Sequence, residues 1–207
     1  PVVRNGVEVK QWSDLVGKRV GVAPASTTWF QFAAASQEAG VDYKSMEIVN
    51  FQGGGATLQQ ALERGDVDVV ISWEPFDSIP VVEGYGYWAK ELDYSKSAAF
   101  GGEIGVLGAY RGSIQNKEAA LARFVQALNE VSEELGASPE KLAAAIKDYA
   151  GVSAEVAAHI AGRGLVFNPH PDIEQLKRTA HEFYKLGVLK VDVSDQVAAH
   201  YDTRFLR

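Results

Sequence analysis

Apolar positions recur along this chain in two alternating rhythms. In residues 56–64 Leu58, Ala61 and Leu62 fall at i, i+3 and i+4, and Gly65 follows where a left-handed residue stops a helix. Residues 66–71, Asp-Val-Asp-Val-Val-Ile, are β-branched and nearly continuous in apolar side chains from Val69, the pattern of a parallel strand covered on both faces. Residues 19–23 and 47–51 repeat the strand pattern. Between them, residues 29–39 read as a helix that Gly40 ends. Residues 19–71 therefore predict βαβαβ, a parallel unit whose crossovers are right-handed. Upstream, residues 1–9 read as the end of a strand and a turn at Asn5-Gly6, and residues 13–16 as one helical turn.

Beyond residue 80 the rhythm weakens. Val81-Val82 and residues 104–110 carry strand patterns, separated by an aromatic, loop-like stretch with Tyr85, Tyr87, Trp88 and Tyr94. Helices follow. Asn116 is placed to cap one running to Leu135, with Leu121, Phe124, Val125, Leu128 and Val131 on one face. Ser138-Pro139 starts the next, Ser153 caps a short one, and Asp172 with Gln175 forms a capping box for a helix to Leu186; residues 194–201 read as a last short one. The change of character at Gly101-Gly102 marks a lobe boundary. So helix-rich a tail must cover a sheet supplied by other residues, and part of that sheet is expected outside the chain.

Composition narrows the functional classes. Twenty-seven acidic against twenty basic residues give a net charge of −7, which disfavours nucleic acid. With no cysteine among the 207 residues, thiol nucleophiles, disulfides and cysteine-ligated metals are excluded from this chain. The four histidines lack metal-ligand spacing, and neither a G-x-S-x-G elbow nor a phosphate-binding G-x-x-x-x-G-K-[ST] loop is present. Gly84-Tyr-Gly-Tyr-Trp-Ala89 fits the relaxed dinucleotide pattern, but the bulky aromatics around its turn argue against that use.

Ligands of open α/β sheets sit beyond the carboxyl ends of the parallel strands. Three loops fall there. Ser26, Thr27 and Thr28 precede a helix, where free backbone N–H groups and hydroxyls suit an anion; the alternative is that one hydroxyl merely caps the helix. The loop holding Gly54 and Gly55 lets a ligand approach the backbone at a second helix start, or is simply a flexible turn. Trp73 and Glu74 end the strand at residues 66–71 and offer an aromatic wall and a site for a cation or ligand ammonium, with Phe76 the weaker aromatic candidate; the alternative is core packing and solvent. Glu103 is an isolated carboxylate at the lobe crossing, facing either cleft or solvent.

In order and motif, Asp14-Leu-Val-Gly-Lys-Arg-Val-Gly-Val22, Ala25-Ser-Thr-Thr28, residues 55–68 and Trp73-Glu-Pro-Phe76 resemble the substrate-binding proteins of nitrate/sulfonate/taurine-type ABC transporters. That resemblance implies a two-lobed, type II-like periplasmic-binding fold lacking about its first third. Residues 1–8 would be a lobe-one or hinge segment, 9–100 lobe two, and 101–207 the return to lobe one. It implies a monomer outside the cytoplasm, periplasmic or membrane-anchored, that captures a small oxyanion without a cofactor or metal and passes it to an ABC permease. The loop at Ser26, Thr27 and Thr28 matches the family's anion-contacting loop, and Trp73 with Glu74 its cleft-lining tip. Two other classes compete. Enzymes on this scaffold, a sulfinate desulfinase and a thiamine-pyrimidine synthase, use cysteine chemistry that this chain does not contain. An effector domain of a transcription regulator would need an upstream helix-turn-helix and fits the long helical tail badly.

Overall fold

The computed structural model describes residues 1–98, 105–164 and 172–206. Its first half runs β1 (Val2–Arg4), β2 (Arg19–Val22), α1 (Thr27–Glu38), β3 (Glu47–Asn50), α2 (Gly55–Arg64), β4 (Val69–Ile71), α3 (Ser78–Val82) and β5 (Gly86–Trp88). These strands form one sheet in the order β3-β2-β4-β1-β5. Strand β2 is parallel to both β3 and β4, as the alternation of β-branched and helical runs predicts. The chain moves one way from β2 to β3 and back the other way to β4, so right-handed crossovers put α1 and α2 on opposite faces. Phe32 of α1 packs with Val20, Val22, Val69 and Ile71 on one face. Leu58, Ala61 and Leu62 of α2 pack with Val2 and Val70 on the other, and Gly65 ends α2 with a φ of +78°.

Strand β1 is the strand read at the start of the chain, followed by the turn at Asn5-Gly6. Val2 lies opposite both Val70 and Trp88, so β1 runs antiparallel between β4 and β5. Arg4 at its end donates to Asp68 Oδ1 at 3.3 Å, and Arg19 reaches the same carboxylate through its backbone N–H at 3.1 Å and its guanidinium at 2.7 and 3.1 Å. One carboxylate thus ties β1, β2 and the start of β4 together at the end of the sheet remote from the carboxyl ends of β2 and β4. Arg19 is the main cause that holds this carboxyl down, to about 2.

The second half carries α4 (Arg111–Asn116), α5 (Glu118–Gly136), α6 (Pro139–Ala150), α7 (Ala154–Gly162) and α8 (Ile173–Lys185). The caps read from sequence are formed: Ser138 Oγ accepts from the N–H of Lys141, Ser153 Oγ from Val156, and Asp172 Oδ1 from Gln175. Of the capping box expected at Asp172 and Gln175 this is the arm that forms, and Gln175 Nε2 donates instead to Ala98 O at 3.4 Å. Helices α6 and α7 pack on each other, and α7 lies against α3. The apolar face of α5 exists, but no residue of α5 is buried among the described residues. Phe124 and Val131 remain half exposed.

One open reading is decided and three local expectations fail. Val81-Val82 belongs to the short helix α3, where Pro80 sits in the first turn and its missing N–H costs no helical bond. Residues 105–110 have no regular structure and are exposed, with no neighbouring strand among the described residues to pair with; Ile104 lies outside them. Asn116 ends α4 instead of capping α5, because Lys117 leaves helical geometry at φ −133°, ψ 29° while its N–H still closes α4 on Ser113. The last predicted helix is two short 3-10 turns, Ser194–Gln196 and Ala198–His200.

Candidate functional site

The carboxyl ends of β2, β3 and β4 share one edge of the sheet, and each leads into a loop with one of the sequence candidates. At the start of α1, Ser26 Oγ accepts the N–H of Trp29 at 3.2 Å and lies 3.1 Å from Thr28 Oγ1. Ser26 is therefore the cap of α1. Thr27 stands exposed beside it and keeps its hydroxyl in solvent. Ala25, just before the cap, is the non-glycine residue held at positive φ among the described residues, at +59°. Backbone strain of this kind persists only where surrounding structure enforces it.

At the start of α2 no side chain caps the helix. Gly54 adopts φ +73°, ψ −162°, a region open essentially to glycine alone. Gly55 opens the helix and is buried against Phe76: a Cβ there would stand 2.0 Å from Phe76 Cδ2. Phe76 in turn meets Trp73 edge-on, with ring centroids 6.3 Å apart. The glycine loop and the tip of β4 are thus in contact, and the ring that joins them is the aromatic the sequence ranked lower. Of the two helix starts, α2 is the one whose first N–H groups have no side-chain acceptor, which is the arrangement that receives anions.

The tip of β4 is more heavily engaged than sequence suggested. Ser72 is buried at 3% exposure, and its Oγ has no partner among the described residues. Trp73 is 36% exposed. Glu74, expected to meet a cation, is already held: its Oε1 accepts from Ser78 Oγ at 2.9 Å and from Arg163 Nη1 at 2.5 Å. Its Oε2 is sealed from solvent. Arg163, just past α7, also lies over the face of Trp88, 3.8 Å from the ring centroid. His159, one turn earlier on α7, has its ring 5.1 Å from the same indole. Asp77 lies in the same turn as Glu74, and burial pushes its carboxyl above the usual range.

Sequence reasoning missed Arg163 and Trp88. Nothing local marks Arg163, which reads as an ordinary charge at a helix end. Trp88 sits in the stretch 84–89, which proves to hold β5 and not a phosphate-binding turn. A Cβ on Gly86 would meet Pro80 at 3.0 Å and Val2 at 3.2 Å, so that glycine serves strand packing. Glu103 and His170 lie outside the described residues. Among the described residues no group of three or more His, Asp or Glu side chains is placed to hold a metal ion, and no helix is long and apolar enough to cross a membrane.

Residues 2–142 match the family described as NMT1/THI5 like. The chain belongs to that family. Over 62 residues it is 39% identical to the taurine-binding periplasmic protein of Escherichia coli strain K12, a stretch covering 30% of this chain and 19% of that protein. Among solved structures it is similar to the alkanesulfonate-binding protein SsuA from Xanthomonas axonopodis pv. citri bound to MOPS. That match has a TM-score of 0.74 at 18% identity and covers 96% of this chain and 67% of that one. It is also similar to the desulfurization enzyme DSZB, with a TM-score of 0.63 at 17% identity, covering 99% of this chain and 73% of that one. At such identities the structural matches establish the α/β fold of periplasmic-binding proteins. The chain spans about two thirds of the length of the sulfonate-binding structure.

Proposed function

We propose that this chain is part of an extracytoplasmic solute-binding protein that captures a small oxyanion of the sulfonate, taurine or nitrate kind and passes it to an ABC permease. The observation that carries this reading is the convergence of two helix starts and the tip of β4 on one sheet edge, with the start of α2 lacking a side-chain cap. Unpaired N–H groups at helix starts stabilise an anion without a metal or a fixed positive side chain. Thr27, Gly54, Gly55 and the exposed face of Trp73 are the ligand contacts on this wall; Ser26 and Thr28 shape it. Likeness to taurine- and alkanesulfonate-binding proteins supports the ligand class and the location outside the cytoplasm.

In this reading residues 9–100, with β1 inserted, form lobe two, and 101–207 return towards lobe one. The cleft between them holds the ligand, and closure follows from contacts made by both lobes. The protein acts as a monomer and without catalysis. Likeness to the desulfurization enzyme favours one alternative, an aryl-sulfinate hydrolase on the same scaffold, although this chain supplies no thiol. Thermal-shift titration with ethanesulfonate, taurine, nitrate and bicarbonate tests the proposal: a ligand present at 100 times its Kd adds about 2.7 kcal/mol to stability. A midpoint unmoved by all four would refute oxyanion capture. Release of sulfite from an aryl sulfinate would favour the enzyme instead.

A further inference from the structure

If the edge captures an oxyanion, as proposed above, the pairing of Glu74 with Arg163 bears on which anion it prefers. Glu74 lies three residues past the end of β4, in the turn that leads to α3 and follows the tip lining the edge. A bare carboxylate there would repel an approaching anion and attract a ligand ammonium, because charges are screened less beside protein than in bulk water. The carboxylate is not bare. Both hydrogen bonds it receives fall on Oε1, from Ser78 and Arg163, and Oε2 is sealed from solvent.

The Arg163 side chain is 45% exposed but is held at two points. Its guanidinium is held between the Glu74 carboxylate and the face of Trp88, and it stands at the carboxyl end of α7, where the helix dipole favours a cation. His159 packs on the same indole one turn earlier, so α7 is seated on Trp88 by two side chains.

We propose that Arg163 is a positioning residue that sets the charge preference of the edge: by neutralising Glu74 it favours an anion whose other end is uncharged, an alkanesulfonate, over a zwitterion such as taurine. Trp73, one residue before Glu74 and 36% exposed, supplies the apolar wall for the uncharged end. The carboxylate that would otherwise hold an ammonium is spent on Arg163.

Calorimetry of the full chain with ethanesulfonate and taurine, which differ by the ammonium, tests this. The wild type is expected to bind ethanesulfonate at least about tenfold more tightly. Arg163→Met should weaken ethanesulfonate by about tenfold and narrow its lead over taurine to about threefold or less, because Glu74 is then uncompensated. Adding Glu74→Gln to Arg163→Met should restore ethanesulfonate binding, and Arg163→Lys should retain most of it. A purely structural role for Arg163 would weaken both ligands alike and give no rescue by Glu74→Gln, overturning the proposal. Should Arg163→Met fail to fold, Glu74→Gln alone reads the pair from its other side: ethanesulfonate binding that holds or tightens, with no gain for taurine, supports the proposal, and a loss shared by both ligands overturns it. Equal binding of the two ligands by the wild type also overturns it while leaving oxyanion capture standing. Failure of both ligands to bind removes sulfonate capture itself, and the charge preference with it.

Discussion

Gly55→Ala is expected to destabilise the protein through a single ring, and the geometry gives the size of the effect. A Cβ at residue 55 would stand 2.0, 2.5 and 2.6 Å from Phe76 Cδ2, Cε2 and Cγ. Comfortable carbon contacts are about 3.5–4.0 Å, so the ring must retreat by roughly 1.5 Å. Overpacking of this kind costs about 1–3 kcal/mol. Alanine recovers up to about 1 kcal/mol over glycine in a helix interior, and less in the first turn. The net expectation is a loss of about 1–2 kcal/mol. Urea denaturation should show a lower midpoint at unchanged slope. In the Gly55→Ala/Phe76→Ala double variant the clash is gone, so the two changes should fall short of additivity by about 1 kcal/mol or more. Additivity to within about 0.5 kcal/mol, or a Gly55→Ala variant as stable as the wild type, would mean that Phe76 does not rest on the start of α2.

Four further outcomes are expected. The Asp68 carboxyl is held at about 2 against an ordinary 3.8, mainly by Arg19. Its folded value is depressed, so its contribution is complete above the unfolded value and is lost as pH falls from about 4 towards 2. Asp68→Asn should cost about 1–2 kcal/mol at pH 7, the full linkage of roughly 2.4 being discounted for solvent screening, and urea midpoints of wild type and variant should converge near pH 2. Ala25→Gly relieves a residue held at φ +59° and should stabilise by about 0.5–1 kcal/mol; a lower melting temperature would mean the strain is not there. Ser26→Ala removes the cap of α1 and should cost about 1 kcal/mol in urea denaturation. Thr27→Ala makes no such loss, so its melting temperature should stay put while calorimetric affinity for ethanesulfonate falls; unchanged affinity would remove Thr27 from the site.

The parallel core was legible because its signals are local. Val69 to Ile71 is an unbroken β-branched run, and Gly65 closes the helix before it. Strand β1 was readable within residues 1–9 but its partners were not, and β5 is hidden among glycines and aromatics. Both strands exist because distant partners supply their hydrogen bonds. The helical caps at Ser138, Ser153 and Asp172 were readable for the same local reason, whereas Asn116 misled because a good capping residue also ends helices. At the site, the hydroxyl and glycine loops were visible as helix starts. The exposure of Thr27 and the capping by Ser26 were not separable, since three adjacent hydroxyls fit either role. The Glu74 pairing was beyond reach, because its partner Arg163 lies far along the chain and carries no mark but its charge.

The seating of β1 between β4 and β5 has a consequence for the order of assembly. During synthesis Val2 is made well before Val70 and Trp88, so β1 emerges with no partner on either side. The parallel core of β2, β3 and β4 can condense first, since its crossovers span fewer residues. Until β1 docks, β4 presents an open row of N–H and C=O groups, a template on which a second unfolded copy can pair. Strand β1 is thus made before the core it joins yet closes the sheet after that core has formed, and the interval before it docks is when β4 is most exposed to pairing with another copy.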